Sequence, residues 1–262
     1  MNTATNPSPP ATGTTASFNA SYAWMISGVA AMGGLLFGYD WVVIGGAAKF
    51  YEAFFHLKDT AVLVAQDAGF WEKVRANAIS PTGWAQSCAL LGCLAGALLS
   101  GAVSDRFGRK PILILAAANF VLSSVGIALA QSFPAFVTWR ILGGMSIGLA
   151  SNISPMYISE IAPPARRGLL VAINQLTIVI GVLAAQFVNW CIARPVPDGL
   201  SPAEFAASWN VVQGWRWMFC LVAVPAVLFL VGLFFVPESP RWLVKNGQRE
   251  RARSILARLG GA

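Results

Sequence analysis

The sequence predicts an all-α membrane protein of six transmembrane helices, and three observations carry that prediction. Of 262 residues, 56% are hydrophobic and only 11% charged, against roughly 25% charged in a soluble globular domain. Charge-free stretches recur at about the 20 residues a helix needs to cross the hydrocarbon core. They are apolar on every side rather than along one stripe, as helices enclosed by lipid and other helices must be. A soluble fold is excluded on these grounds.

Taken in order, residues 1–21 form an uncharged Ser/Thr/Pro/Ala-rich tail expected to be disordered. No Lys or Arg precedes Lys49, so a basic signal-peptide start is missing and the first apolar segment is expected to be kept. Cutting the rest at its charged residues gives spans at about 22–46, 81–103, 111–131, 134–157, 168–192 and 217–236, a bundle within residues 22–237. Residues 47–80 form one long outer loop, whose FYEAFFHLKD stretch is compatible with partial helix. Residues 238–262 read as short amphipathic cytoplasmic helices. Pro240 follows Ser239 as a first-turn proline follows an N-cap, and Ala252, Ile255, Leu256 and Leu259 recur at helical spacing opposite Arg251, Arg253 and Arg258.

An even number of spans puts both termini on one side, and charge decides which side. The segments 105–110, 160–167 and 238–262 hold eleven Lys/Arg and four acids, while the other side holds six of each. Positive-inside bias places both termini in the cytoplasm. The whole +7 excess then lies on one membrane face, so the basic balance reflects topology; a lipid bilayer is the expected partner and nucleic acid is not.

Cys88, Cys93, Cys191 and Cys220 have no metal-type spacing and read as free thiols, and His56 is the only histidine. No metal, cofactor or catalytic constellation is expected, and the chain is not read as an enzyme. Gly92/Gly96 and Gly144/Gly148 place small residues on one face of the second and fourth helices, where they allow close packing.

Two charges, Asp40 and Arg140, fall inside spans, where each costs at least ~2.5–3.5 kcal/mol unless paired or wetted. Counted from the span ends at 1.5 Å per residue, both sit about 9 Å below the outer boundary. Equal depth and opposite sign make them a candidate pair. Either it is a proton relay in which Asp40 is protonated and released from Arg140, or a permanent structural ion pair. A guanidinium favours the ionised carboxyl and apolar surroundings the neutral one, which is the alternation a proton coupler needs. Asp105, Glu160 and Glu238 stand near helix ends beside Arg106/Arg109/Lys110, Arg166/Arg167 and Arg241. Acids repeated at such positions suggest a salt-bridge network able to latch a gate.

The segments GGLLFGYDWVVIGG (33–46), GAVSDRFGRK (101–110), RILGGMSIGLAS (140–151), PMYISEIAPPARRG (155–168), NQLTIVIG (174–181), GWRWMF (214–219) and PESPRWL (237–243) follow one another in a distinctive order. Over residues 22–262 the chain resembles the amino-terminal half of sugar porters of the major facilitator superfamily, in particular bacterial xylose/proton symporters. The resemblance implies a monosaccharide and a proton as ligands, transport in the bacterial inner membrane, and no cofactor. It implies that Asp40 is the proton-coupling acid and Arg140 its partner, which weights the pair towards coupling. It further implies that Gln175 contacts sugar hydroxyls and that Phe37 packs near the sugar. Without it, Gln175 reads as a packing amide and Phe37 as core. Val182 departs from the xylose-type pattern, which has a polar residue there, and leaves the sugar open. Asp105, Arg109, Glu160, Arg167, Glu238 and Arg241 would form the cytoplasmic gating network.

The family's transporters have twelve spans, and the sequence carries six. It is therefore expected to be one half of a major facilitator fold, ending in the linker between halves and acting with a missing carboxyl-terminal six-helix half. Two alternatives stay open: a homodimer of this chain, and a non-transporting sugar sensor or assembly partner.

Overall fold

The computed structural model describes residues 19–57, 69–71, 80–197 and 199–260. The expected tail at 1–18 and the stretches 58–68 and 72–79 of the expected outer loop lie outside the described residues. Among those described there is no strand, and six helical segments are long and apolar enough to cross a membrane.

Local chemistry sets the helix ends. Helix α1 (Ala20–Phe54) starts where the Asn19 side chain accepts a hydrogen bond from the Tyr22 amide at 3.1 Å. Helix α2 (Pro81–Phe107) starts with Pro81 behind Ser80, whose hydroxyl accepts from the Gly83 amide at 3.0 Å. Gly108, at φ 101°, turns the chain into α3 (Arg109–Leu129), a backbone region that favours glycine. Helix α4 (Phe133–Ile161) carries Pro155 within it, and α5 (Arg167–Ile192) follows a 3₁₀ turn at Pro164–Arg166.

The sixth span, Pro202–Phe235, begins earlier than its charges suggest and is segmented. It comprises α6 (Pro202–Ala206), a π turn at Asn210–Gly214, α7 (Trp215–Cys220) and α8 (Ala223–Phe235). Asn210 bridges back to α5's exit, accepting from the Arg194 amide at 2.9 Å and donating to its carbonyl at 2.8 Å. Helix α1 likewise runs past Gly46 through Lys49 and Glu52. Charges do not stop it because Tyr51, Phe54 and Phe55 bury in an aromatic cluster with Phe133, Phe136 and Trp215, such as Tyr51 against Phe136 at 5.2 Å. Helices α9 (Pro240–Lys245) and α10 (Arg249–Leu259) close the described chain, and Ser239 caps α9 through the Trp242 amide at 3.3 Å. Asn19 donates to the Leu259 carbonyl at 3.3 Å, so both described ends of the chain meet at one end of the bundle.

Lipid removes the hydrophobic drive between helices, so close packing must hold them. At the α2–α4 seam a Cβ on Gly92, Gly96, Gly144 or Gly148 would strike the carbonyl oxygen of Ile141, Met145, Ala89 or Cys93 respectively. A second seam joins α1 to α5, where Gly38 lies against the Ile178 carbonyl and Gly181 against that of Leu35. Replacing Gly144 with Val is expected to cost at least the ~1–3 kcal/mol typical of overpacking. Gly28→Ala, with nothing within 4 Å of the new Cβ, should gain roughly 0.5–1 kcal/mol from helix propensity. Unfolding in mixed micelles followed by helicity checks both; a Gly144→Val protein as stable as the parent would refute the seam.

Candidate functional site: a buried ion pair on a cavity wall

The pair expected from depth alone is formed. Arg140 Nη1 on α4 donates to both Asp40 carboxylate oxygens on α1, each at 2.9 Å. Asp40 is 6% and Arg140 3% exposed, so each charge depends on the other in low dielectric. The guanidinium lies 5.6 Å from the Phe219 ring, a further attraction for a cation. Because α1 continues to Phe54, the 9 Å counted from Gly46 is not a depth below the helix end. The two side chains nevertheless share a level.

A cavity of about 400 Å³ opens beside the pair, lined by Phe37, Asp40, Trp41, Gln86, Cys93 and Arg140 among others. The Asp40 carboxylate is thus both buried and next to space. A smaller cavity of about 170 Å³ lies between α1, α4 and α5 and takes in Phe37, Gln175, Asn174 and Ser151. Phe37 lines both cavities, and Gln175 is exposed at the edge of the smaller one. An aromatic face and an amide able to donate and accept are the groups a pyranose needs. Sequence reasoning missed Trp41 and Gln86. It also missed Tyr51, whose buried hydroxyl, like Arg140 Nε, has no hydrogen-bond partner among the described residues. Tyr51 lies three helical turns from Asp40 on α1, a spacing that could have flagged it.

A second polar cluster sits at the end of the bundle where the described chain ends meet. Arg109, at the start of α3, donates from Nε and Nη2 to the two Glu160 oxygens at 3.0 Å each. Its Nη1 reaches the Ser104 carbonyl and Asp105, both at 3.0 Å. The Arg109 and Glu160 side chains are 7% and 3% exposed, and Ser239 also donates to Glu160. Asp105, half exposed, is joined by Lys245 at 2.9 Å, and such exposed pairs contribute at most about 1 kcal/mol.

Two expected members are not brought in. Glu238 accepts from the backbone amides of Arg109 at 3.0 Å, Lys110 at 3.2 Å and Ser239 at 2.7 Å. The free N–H groups and positive dipole end of α3 stabilise this acid, so Arg241 is not needed and its side chain is exposed. Arg167 borders a groove with Glu160 but makes no ion pair with it among the described residues. Glu160 is already taken by the fork of Arg109. Lys245 and Ser239 are the members that sequence reasoning missed.

A family model described as "Sugar (and other) transporter" matches residues 26–262. The chain is 40% identical to the D-xylose-proton symporter of Escherichia coli (strain K12), covering 93% of this chain and 49% of that relative. It is 37% identical to the arabinose-proton symporter of Bacillus subtilis (strain 168), covering 94% and 47%. Among solved structures, the proton:xylose symporter XylE bound to 6-bromo-6-deoxy-D-glucose superposes with a TM-score of 0.78 at 40% identity, over 93% of this chain and 51% of that one. A partially occluded, inward-open XylE from E. coli gives 0.77 at 39% identity, over 92% and 54%. The chain spans about half the length of the curated relatives it matches.

Proposed function

Since the chain belongs to the "Sugar (and other) transporter" family of multi-pass membrane proteins, we propose that it forms the amino-terminal half of a proton-coupled monosaccharide transporter. The observation that carries the reading is the Asp40–Arg140 pair, buried yet flanking a cavity of about 400 Å³. Substrate entering beside the pair can shift it, and a carboxyl freed from its guanidinium in apolar surroundings takes up a proton. Asp40 is the coupling acid and Arg140 its counter-charge. Phe37 and Gln175 contribute this half's share of the sugar contacts. The second half of the cavity comes from a further six-helix bundle, since alternating access needs two bundles to rock against each other. Asp105, Arg109, Glu160 and Glu238 form the gate cluster with Lys245, and residues 238–262 lead into the connection between the bundles.

The test uses sealed vesicles holding this chain together with a carboxyl-terminal six-helix half. With the interior made alkaline, labelled D-xylose, L-arabinose or D-glucose should accumulate above its external concentration, and a protonophore should collapse the accumulation. No gradient-dependent accumulation of any of the three would sink the proposal.

The excess of Lys/Arg at the Asp105 end supports an orientation with both termini in the cytoplasm of a bacterial inner membrane. A membrane-impermeant maleimide should label Pro197→Cys in intact cells but Asn246→Cys only after permeabilisation. The reverse pattern would invert the topology.

A further inference from the structure

Away from the ion pair, a cavity of about 440 Å³ opens on the flank of the bundle, where the end of α3 meets the sixth span. Arg216 projects into it under unusual constraint. Its guanidinium lies 4.7 Å from the Phe54 ring and 4.6 Å from the Trp215 ring, and Nη1 donates to the carbonyl of Ala128. Among the described residues no carboxylate pairs with it. Two aromatic faces and one carbonyl fix the plane of the fork while leaving further N–H groups available.

The surroundings select the ligand. Gln131 and Gln213 border the same cavity and supply amide donors, and no acidic side chain lines it among the described residues. A fixed guanidinium fork beside amide donors matches phosphate oxygens. Leu129 and Trp217 on the cavity rim are 69% and 52% exposed, an apolar flank that offers nothing to a free hydrated anion. The cavity lies level with the end of α3 at Leu129, and Trp is enriched at the membrane–water interface where helix ends emerge.

We propose that this cavity binds the headgroup phosphodiester of an anionic phospholipid, with Arg216 as the anion clamp and the Leu129–Trp217 flank seating the acyl chains. The polar lining among the described residues, Arg216 with Gln131 and Gln213, offers a positive charge and amides but no carboxylate for a choline or ethanolamine cation, so the headgroup selected is one without a positive charge. A lipid bound there would tie together the ends of α1, α3 and α7.

The chain in detergent, titrated with dioleoylphosphatidylglycerol or dioleoylphosphatidylcholine and examined by native mass spectrometry, should retain the former in preference. Arg216→Gln should lower that retention about tenfold, in line with the loss of one charge-assisted hydrogen bond. Arg106→Gln, an exposed arginine at the other end of the bundle, should leave it unchanged. Equal retention of the two lipids, or retention untouched by Arg216→Gln, overturns the proposal. Displacement of the lipid by millimolar inorganic phosphate would reassign the site to the free ion and overturns it as well. A readout on the unaltered chain guards against misfolding of the variant: phosphatidylglycerol with a photoactivatable acyl chain should crosslink at Leu129 or within 217–220. Crosslinks confined to other helices refute the site.

Discussion

Asp40→Asn is expected to abolish uphill sugar accumulation while sparing exchange of labelled for unlabelled sugar across the same vesicles. Asparagine keeps the shape of the side chain and an oxygen that can accept from Arg140 Nη1, now 2.9 Å from the carboxylate. It cannot bind or release a proton, so the link between the pH gradient and the sugar is cut while the cavity beside Phe37 and Trp41 is preserved. The measurement is the ratio of internal to external sugar under a fixed gradient, set beside the exchange rate. A ratio that stays at the parent value would remove Asp40 from the coupling step, and loss of both activities would mean that the substitution damaged the cavity itself.

Arg140→Met should have the largest effect on stability. Methionine fills similar volume but leaves the Asp40 carboxylate, whose side chain is 9% exposed, without its counter-charge. Removing one partner of a buried pair costs about 3–5 kcal/mol, whereas replacing both by neutral groups is often nearly free. The double variant Arg140→Met with Asp40→Asn should therefore recover most of the lost stability. Unfolding in mixed micelles decides the matter. If the single and double variants unfold together, the pair is not the buried, mutually dependent unit described above.

These two residues were legible because charge is scarce in the spans, so any buried ion stands out against an apolar background. The α2–α4 seam was legible for a similar reason, since paired glycines four apart mark a face that a neighbour can approach. The equivalent signal at Gly34 and Gly38 was present but lay inside the stretch read for its aspartate, and the α1–α5 seam went unread. What sequence could not supply were partners remote along the chain. Arg167 and Arg241 were matched to Glu160 and Glu238 by sequence proximity, yet the acids are held by Arg109 and by the amide end of α3. Lys245 reaches Asp105 across 140 positions, a distance over which no periodicity carries information. Cutting at charges shortens the sixth span, because Arg216 lies within it rather than at its start. Ser201 and Glu204 instead form a capping box that starts α6, and Arg216 is sheltered between aromatic rings.

The 35 residues of α1 amount to about 52 Å of helix, well beyond a hydrocarbon core of about 30 Å. Its far end, with Tyr51, Phe54 and Phe55 in their aromatic cluster, lies at the level of Lys49, Glu52 and Arg216 and therefore among headgroups and water. One bundle is thus held by two kinds of force. At the wet end, burial of aromatic surface carries the heat-capacity signature of water release. Along the glycine seams, helices exchange lipid contacts for one another with no such signature. The two regions should answer to different solvents: urea loosens the aromatic end first, and a change of detergent chain length loosens the seams.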